Sequence, residues 1–325
     1  MRKEEFTIAS RDAVHQLHSV KYLPEGAPKG IVILVHGMAE HLGRYEGFAQ
    51  FLTERGFLVA GEDHLGHGLS VPEGETYGYF CQMDPATVLV RDVHRLKKTV
   101  QGEYPGIPIF ILGHSMGSYI LRNYICRYGT GIQGAIIMGT GQRSRLAVTF
   151  IRALSKCIEL IYGEKHYSRL VEKLVMGDYN KRVGIARTES DWLTKDEEVV
   201  NLYRIDPLCG FPFTLNGYRC MFEMANRLFS KDNLSHMPKG LPVLMISGEE
   251  DPVGGYGKQV DRVYRDLTGA GLTNVELKMY PGDRHEILNE LDKQQVMEDV
   301  VAWLEKTMGE GSSATGAGGA RHTIG

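Results

Sequence analysis

Short runs of consecutive apolar residues, rich in Val, Ile and Leu, alternate along the chain with longer amphipathic segments. A run without polar alternation is typical of a β-strand that is buried on both faces, as strands of parallel sheets are. Six runs fit this pattern, at residues 30–37, 56–61, 107–112, 132–138, 242–247 and 275–280. Helical spacing of apolar positions occurs at residues 42–55, 84–104, 116–128, 257–268 and 291–307. The alternation predicts a mostly parallel central sheet flanked by helices.

Other segments depart from this alternation. Residues 5–22 alternate between apolar and polar, which predicts an antiparallel hairpin. Residues 140–240 contain no buried-strand pattern, and residues 144–176 have a wide apolar stripe at helical spacing, so we expect a helical cap inserted into the sheet domain. The glycine-rich end cannot bury enough apolar area to order itself. The predicted division is a core at 1–139 and 241–308, a cap at 140–240 and a disordered tail at 309–325.

The strongest candidate for chemistry is Ser115, in the sequence Gly-His-Ser-Met-Gly at residues 113–117. A buried-strand pattern runs into this G-x-S-x-G motif and a helical pattern follows it. That is the setting of a nucleophile elbow, in which a sharp turn exposes the serine. The alternative is a serine that only caps the following helix.

A serine hydroxyl needs a base, and in this kind of fold the chain order is serine, acid, histidine. His285 follows the last predicted strand directly, in a loop, and is therefore the candidate base. Asp251 follows the preceding strand and is the candidate acid, since Asp-Pro fixes an extended turn. Glu250 and Asp283 remain alternatives for the acid.

An oxyanion hole requires two backbone N–H donors. Met116 supplies one from the N-terminus of the helix after Ser115, and we expect Met38, in the loop after the first buried strand, to supply the other. For the acyl chain we expect an apolar pocket that is lined by Phe150, Ile151, Leu154 and Val253.

Composition excludes several other classes of protein. The chain has 325 residues and a formal net charge of -3, so nothing favours a nucleic-acid partner. No apolar run is long enough to span a bilayer, and we expect no stable membrane insertion. Five widely spaced cysteines without a Cys-x-x-Cys pair indicate reduced thiols and a cytoplasmic protein. The Asp63, His64 and His67 turn could suggest a metal site, but its glycine-rich sequence favours a structural loop, so we expect neither metal nor cofactor.

Five motifs in order resemble those of the monoacylglycerol lipase-like, or lysophospholipase-like, α/β-hydrolases, which are often grouped with the serine aminopeptidases. They are HGMAEH (36–41), DHLGHGLS (63–70), GHSMG (113–117), GEEDPVG (248–254) and GDRHE (282–286). The resemblance implies an α/β-hydrolase fold and a metal-free serine esterase that acts on a small-molecule ester with an acyl chain. It also implies the triad of Ser115, Asp251 and His285, and oxyanion donors at Met38 and Met116.

Two other functions fit parts of the pattern. A serine aminopeptidase would need a buried carboxylate near Ser115 to hold a substrate ammonium group, for which Glu40 or an acidic residue of the cap could serve. A non-catalytic binding protein on the same scaffold would be expected to lack a triad member, and all three are present. The sequence does not indicate an oligomeric state.

Overall fold

A computed structural model describes residues 1–177 and 179–316, which form an eight-stranded sheet in the order β1-β2-β4-β3-β5-β6-β7-β8. The strands are β1 Arg2–Ala9, β2 Gln16–Leu23, β3 Gly30–Val35, β4 Phe57–Glu62, β5 Ile109–His114, β6 Gly134–Met138, β7 Val243–Gly248 and β8 Val275–Tyr280. Strands β3 to β8 pair in parallel, whereas β2 is antiparallel to both β1 and β4. The predicted hairpin and all six buried runs are therefore strands of one sheet, and the predicted mostly parallel α/β fold is confirmed.

Helices cover both faces of the sheet. They are α1 Glu46–Glu54, α2 Pro85–Glu103, α3 Met116–Tyr128, α4 Arg145–Tyr162, α5 Arg169–Met176, α6 Glu197–Ile205, α7 Leu215–Arg227, α8 Lys231–Ser235, α9 Lys258–Gly269 and α10 Lys293–Gly316. Five 3-10 helices lie at Leu42–Tyr45, Gly68–Ser70, Gly129–Gly131, Tyr179–Arg182 and Ile287–Asn289. In β3, Ile31 and Ile33 pack into the core on one face, and Val32 and Leu34 pack into the core on the other. Burial on both faces explains why β3 reads as an unbroken apolar run.

The residues between β6 and β7 form a helical insertion that contains α4 to α8. The continuous helical pattern predicted at residues 144–176 is divided in the structure between two helices, α4 and α5. Gly163 has φ +85° and ends α4, while the Ser168 side chain accepts a hydrogen bond from the Val171 N–H and starts α5. A glycine at the helix end and a serine cap are the usual stop and start signals, so the prediction overlooked a break that the residues encode.

At the chain's end, α10 continues to Gly316, so the predicted disordered tail overlaps a helix at residues 309–316. The rest of that prediction, residues 317–325, lies outside the described residues. Within the described part, no helix is both long and apolar enough to cross a bilayer. All five cysteines are unpaired; Cys81 and Cys220 are buried, whereas Cys157 is exposed.

Candidate active site

Ser115 lies on a strained turn between β5 and α3, with φ +52° and ψ -116°. The backbone on either side of Ser115 packs so closely against neighbouring backbone atoms that only glycine fits at residues 113 and 117. A Cβ at Gly113 would lie 2.5 Å from the Gly117 carbonyl oxygen, and one at Gly117 would lie 2.0 Å from the Val35 oxygen. The Ser115 side chain makes no capping hydrogen bond to α3, which removes the helix-cap explanation. A strained, unpaired serine is the arrangement expected of a nucleophile.

His285 and Asp251 approach each other from the loops after β8 and β7. The distance from His285 Nδ1 to Asp251 Oδ2 is 3.1 Å, and both residues are almost fully buried. In the described part of the chain no hydrogen bond to Nδ1 is formed, so the ring and the carboxylate lie in contact without one in this conformation. The Val253 N–H donates to Asp251 Oδ1 at 2.7 Å and fixes the carboxylate.

The other two candidate acids lie in different surroundings. Glu250 is exposed to solvent. Asp283 is buried and faces Lys195 Nζ at 3.1 Å. Burial raises the pKa of the Asp283 carboxyl to about 6, against the opposing effect of Lys195. Of the three carboxylates, the structure brings Asp251 to the imidazole.

Ser115 and His285 line the same cavity, together with Met38, Met116 and Val253. Gly139, with φ +56°, makes room for the imidazole, because a Cβ there would lie 3.2 Å from His285 Cε1. Met116 is the first residue of α3, so its N–H has no partner in the helix. In the described part of the chain, nothing accepts a hydrogen bond from the Met38 N–H either.

The predicted acyl-pocket residues are only partly correct. Val253 lines the cavity, but Phe150, Ile151 and Leu154 do not. Phe150 is 62% exposed and lies on the outer side of α4, while Ile151 is buried within the protein. Because α4 has a wide apolar stripe, its spacing could not show which part of the stripe faces the cavity. The apolar residues that the insertion and α3 place there include Tyr119, Val148, Val175, Met176, Trp192, Leu193, Phe211, Met221, Phe222 and Ala225.

A buried network of charges, not foreseen from the sequence, borders the same cavity. The Arg44 guanidinium donates two hydrogen bonds to Glu286, at 2.6 and 2.7 Å, and one to Glu40 at 2.8 Å. Glu40 also accepts from the Tyr45 hydroxyl at 2.8 Å and lies 3.3 Å from His114 Nδ1. Burial would lower the pKa of His114, but the hydrogen bond and charge of Glu40 outweigh it and raise that pKa.

The insertion also forms hydrogen bonds with the loop that carries His285. The Glu286 N–H donates to the Leu193 oxygen at 2.7 Å, and the Arg284 guanidinium donates to the oxygens of Asp191 and Thr194 at 2.6 and 3.1 Å. These bonds lie on both sides of His285. The position of the imidazole therefore depends on residues 191–194 of the insertion as well as on β8.

The group most suited to a metal ion is His41, Asp206 and Cys209, whose ligand atoms lie within 4.8 Å of one another. The Gly43 N–H donates to His41 Nδ1 at 3.2 Å, so the ring proton is on Nε2, which donates to Asp206 at 2.9 Å. A metal at Nε2 would displace that proton and break the Gly43 bond. Burial also raises the pKa of the Cys209 thiol, which opposes metal binding. The group fits a hydrogen-bonded contact between the loop and the insertion better than a metal site.

Comparison with known proteins agrees with this architecture. The sequence profile described as serine aminopeptidase, S33, matches residues 26–292. A monoacylglycerol lipase from Mycolicibacterium smegmatis is 28% identical over 314 residues, which cover 93% of this chain and 97% of the relative. A monoglyceride lipase from Mus musculus is 28% identical over 91% of this chain and 87% of its own.

Among solved structures, a thermostable carboxyl esterase from Bacillus coagulans, in complex with glycerol, superposes with a TM-score of 0.88. It is 31% identical, and the match covers 94% of this chain and 99% of the esterase. The match spans both the sheet and the helical insertion. The predicted α/β-hydrolase fold is confirmed, and this chain belongs to the serine aminopeptidase S33 family.

Proposed function

We propose that this protein is a serine hydrolase that cleaves the carboxylic ester bond between an acyl chain and a small alcohol. Ser115 is the nucleophile, His285 the general base and Asp251 the residue that orients the base. One observation carries the proposal: the strained Ser115 shares a cavity with His285, whose Nδ1 lies 3.1 Å from the buried Asp251 carboxylate. Relatives that span nearly the whole chain are lipases and an esterase, which supports the same reaction.

The reaction proceeds through an acyl-enzyme intermediate. Ser115 Oγ attacks the ester carbonyl carbon while its proton passes to His285 Nε2. The N–H groups of Met38 and Met116 donate to the oxygen that becomes negative. The C–O bond then breaks, and the alcohol leaves with the proton from His285. A water molecule, deprotonated by His285, then attacks the acyl carbon; the acyl–Oγ bond breaks, the acid is released, and His285 returns the proton to Ser115 Oγ. Asp251 stabilises the imidazolium in both halves.

The cavity is lined by both apolar and charged residues, which suit the two halves of such a substrate. Val148 of α4, Val175 of α5 and Phe222 of α7 are the residues against which we place the acyl chain. Glu40 and Glu286 of the charged network also line the cavity. Since one relative was solved with glycerol and others are monoacylglycerol lipases, we propose that the alcohol carries several hydroxyl groups.

Residues 140–240 act in this proposal as the cap over the sheet domain. Helices α4, α5 and α7 would exclude water from the acyl chain and set the length of chain that fits.

The surroundings of Glu40 do not favour an aminopeptidase over an ester hydrolase, although the matching family is described by that name. Glu40 is the acidic residue nearest to the required position, but Arg44, Tyr45 and the Gly37 N–H already bind its carboxylate. In the insertion, Glu189, Glu197 and Glu198 are exposed, and Asp191 bonds to the N–H groups of residues 187 and 188. An ammonium group at Glu40 would thus have to compete for a carboxylate that is already paired.

The test compares monoacylglycerols and simple esters of increasing acyl length with aminoacyl amides. We expect turnover of the esters, loss of that turnover in Ser115→Ala, and loss of fluorophosphonate labelling in the same variant. Ser235→Ala, at an exposed serine in α8, is the control and should retain both. Turnover of the amides alone, or labelling that persists in Ser115→Ala, would contradict the proposal.

A further inference from the structure

The glycine-histidine turn, residues 63–68, follows β4 and has no part in the chemistry above. Three hydrogen bonds join it to the segment after β3, residues 36–42. The Leu42 N–H donates to Asp63 at 2.8 Å, the His64 N–H donates to His36 Nε2 at 3.0 Å, and the Ala39 N–H donates to His67 Nε2 at 3.2 Å. The turn therefore holds the segment that contains Met38 at three points.

His67 is fixed in one tautomer by its two partners. Its Nδ1 lies 3.0 Å from the Leu65 carbonyl oxygen, which can only accept, so Nδ1 carries the proton. Its Nε2 faces the Ala39 N–H, which can only donate, so Nε2 is bare. A neutral imidazole satisfies both contacts, whereas a protonated one would lose the bond to Ala39.

The surroundings of His67 keep the imidazole neutral and restrict its rotation. Phe80, Phe211 and Phe213 pack around it with ring centroids 5.2 to 5.6 Å away. Complete burial lowers the pKa of His67 to about 3, so it stays an acceptor at neutral pH. Gly66, with φ +71°, lets the turn pass against Tyr79, since a Cβ there would lie 2.3 Å from the Tyr79 oxygen.

The two peptide planes on either side of Met38 are each held by a histidine. The plane that contains the Met38 N–H also contains the Gly37 oxygen, which accepts from His36 Nδ1 at 2.8 Å. The next plane contains the Ala39 N–H, held by His67. Ala39 itself has φ +52°, which is strained for a residue other than glycine, and so requires support. Its oxygen accepts from the Gly210 N–H of the insertion at 2.9 Å.

We propose that His67 is a positioning residue that, through Ala39, aims the Met38 N–H at the negatively charged oxygen of the tetrahedral intermediate. This inference rests on the proposed function. The histidines of the turn then serve the reaction through backbone geometry, without touching substrate. Loss of the His67 acceptor should weaken binding of the transition state and leave binding of the ground-state ester nearly unchanged.

The experiment compares His67→Leu, which removes both ring nitrogens, with His67→Gln, whose side-chain oxygen can still accept from Ala39. For an ester substrate of the full-length enzyme, we measure kcat, KM and the inhibition constant of a trifluoromethyl ketone, which forms a charged tetrahedral adduct. We expect His67→Leu to lower kcat by about 10- to 100-fold and to raise the inhibition constant of the ketone in proportion, whereas KM should change less than about threefold. His67→Gln should recover most of the loss.

His94→Leu is the matched control, because His94 is a half-buried histidine that stacks on Tyr128, 3.8 Å between centroids, and takes no part in the site. It should leave kcat and the ketone constant unchanged. Normal ketone inhibition in folded His67→Leu, or equal loss in His67→Gln and His67→Leu, would overturn the proposal. If either of these results were found while Ser115→Ala still abolished turnover, only the role of His67 would be overturned and the proposed function would stand. Failure of this inference can therefore be distinguished from failure of the proposed function.

Discussion

The indole of Trp192 lies beside the imidazole of His285, with the ring centroids 5.1 Å apart and the planes inclined by 38°. Trp192 belongs to the helical insertion, and His285 to the loop after β8. On one side of the two rings the Glu286 N–H donates to the Leu193 oxygen, and on the other the Arg284 guanidinium donates to the Asp191 oxygen. The insertion is thus part of the wall that holds the base.

We therefore expect Trp192→Ala to lower kcat about tenfold, because the imidazole loses its packing partner and spends less time in the productive orientation. Trp192→Phe keeps an aromatic ring there and should retain most of the activity. Steady-state kinetics with one ester substrate measures both. An unchanged kcat in Trp192→Ala would show that the hydrogen bonds of the loop suffice to orient His285.

Asp251→Asn should lower kcat by about 10³- to 10⁴-fold while the protein stays folded. The amide is the same size and can still accept from the Val253 N–H, but it carries no charge to stabilise the imidazolium. The neighbouring Glu250→Gln, at an exposed position, should have normal kinetics. A large loss in Glu250→Gln or Asp283→Asn, with Asp251→Asn active, would assign the acid elsewhere.

Gly117→Ala should prevent folding or lower the melting temperature sharply, since its Cβ would lie 2.0 Å from the Val35 oxygen and neither backbone can retreat. Gly102, in α2, is the matched control because a Cβ there meets no heavy atom within 4 Å. Gly102→Ala should stabilise the protein by about 0.5–1 kcal/mol through helix propensity. Thermal unfolding of both variants checks the pair, and equal melting temperatures would contradict the close packing of the elbow.

Asp92 in α2 gives the stability of the protein a pH dependence. Its carboxylate is buried against the Ser10 hydroxyl at 2.8 Å, and burial raises its pKa to about 7. Because the folded pKa exceeds the unfolded value of about 4, folding favours the protonated form, and this contribution is lost as the pH rises from about 4 through 7. The slope is on the order of 1 kcal/mol per pH unit over that window.

Asp92→Asn should remove that part of the slope, which urea unfolding at several pH values between 4 and 8 measures. Asp232→Asn, at an exposed position in α8, is the control and should keep the wild-type slope. The same slope in Asp92→Asn and the wild type would mean that the Asp92 carboxyl is already ionised in the folded protein at pH 5.

Much of the sheet could be predicted because its central strands, β3 to β7, are buried on both faces. Ile31 to Leu34 face the core on alternate sides, so no polar residue interrupts the apolar run. The break between α4 and α5 was also encoded, in Gly163 and Ser168, but the apolar stripe continues across it and concealed it. Ester hydrolysis, predicted from five motifs in order, is supported by relatives of that activity over nearly the whole chain.

The sequence by itself determined where the strands lie along the chain, the elbow at Ser115 and the loops that hold Asp251 and His285, because these depend on short-range patterns and on glycines that a close turn requires. Tertiary structure alone decided which residues of the insertion line the cavity, since Phe150 and Val148 are both apolar and differ only in the side of α4 that they occupy. It also decided the partners of Glu40, Arg44 and Glu286. Buried charged residues that are far apart in the chain pair with one another, and no local sequence pattern indicates such pairs. They come together because the carboxyl ends of the parallel strands β3 and β8 lie on the same side of the sheet.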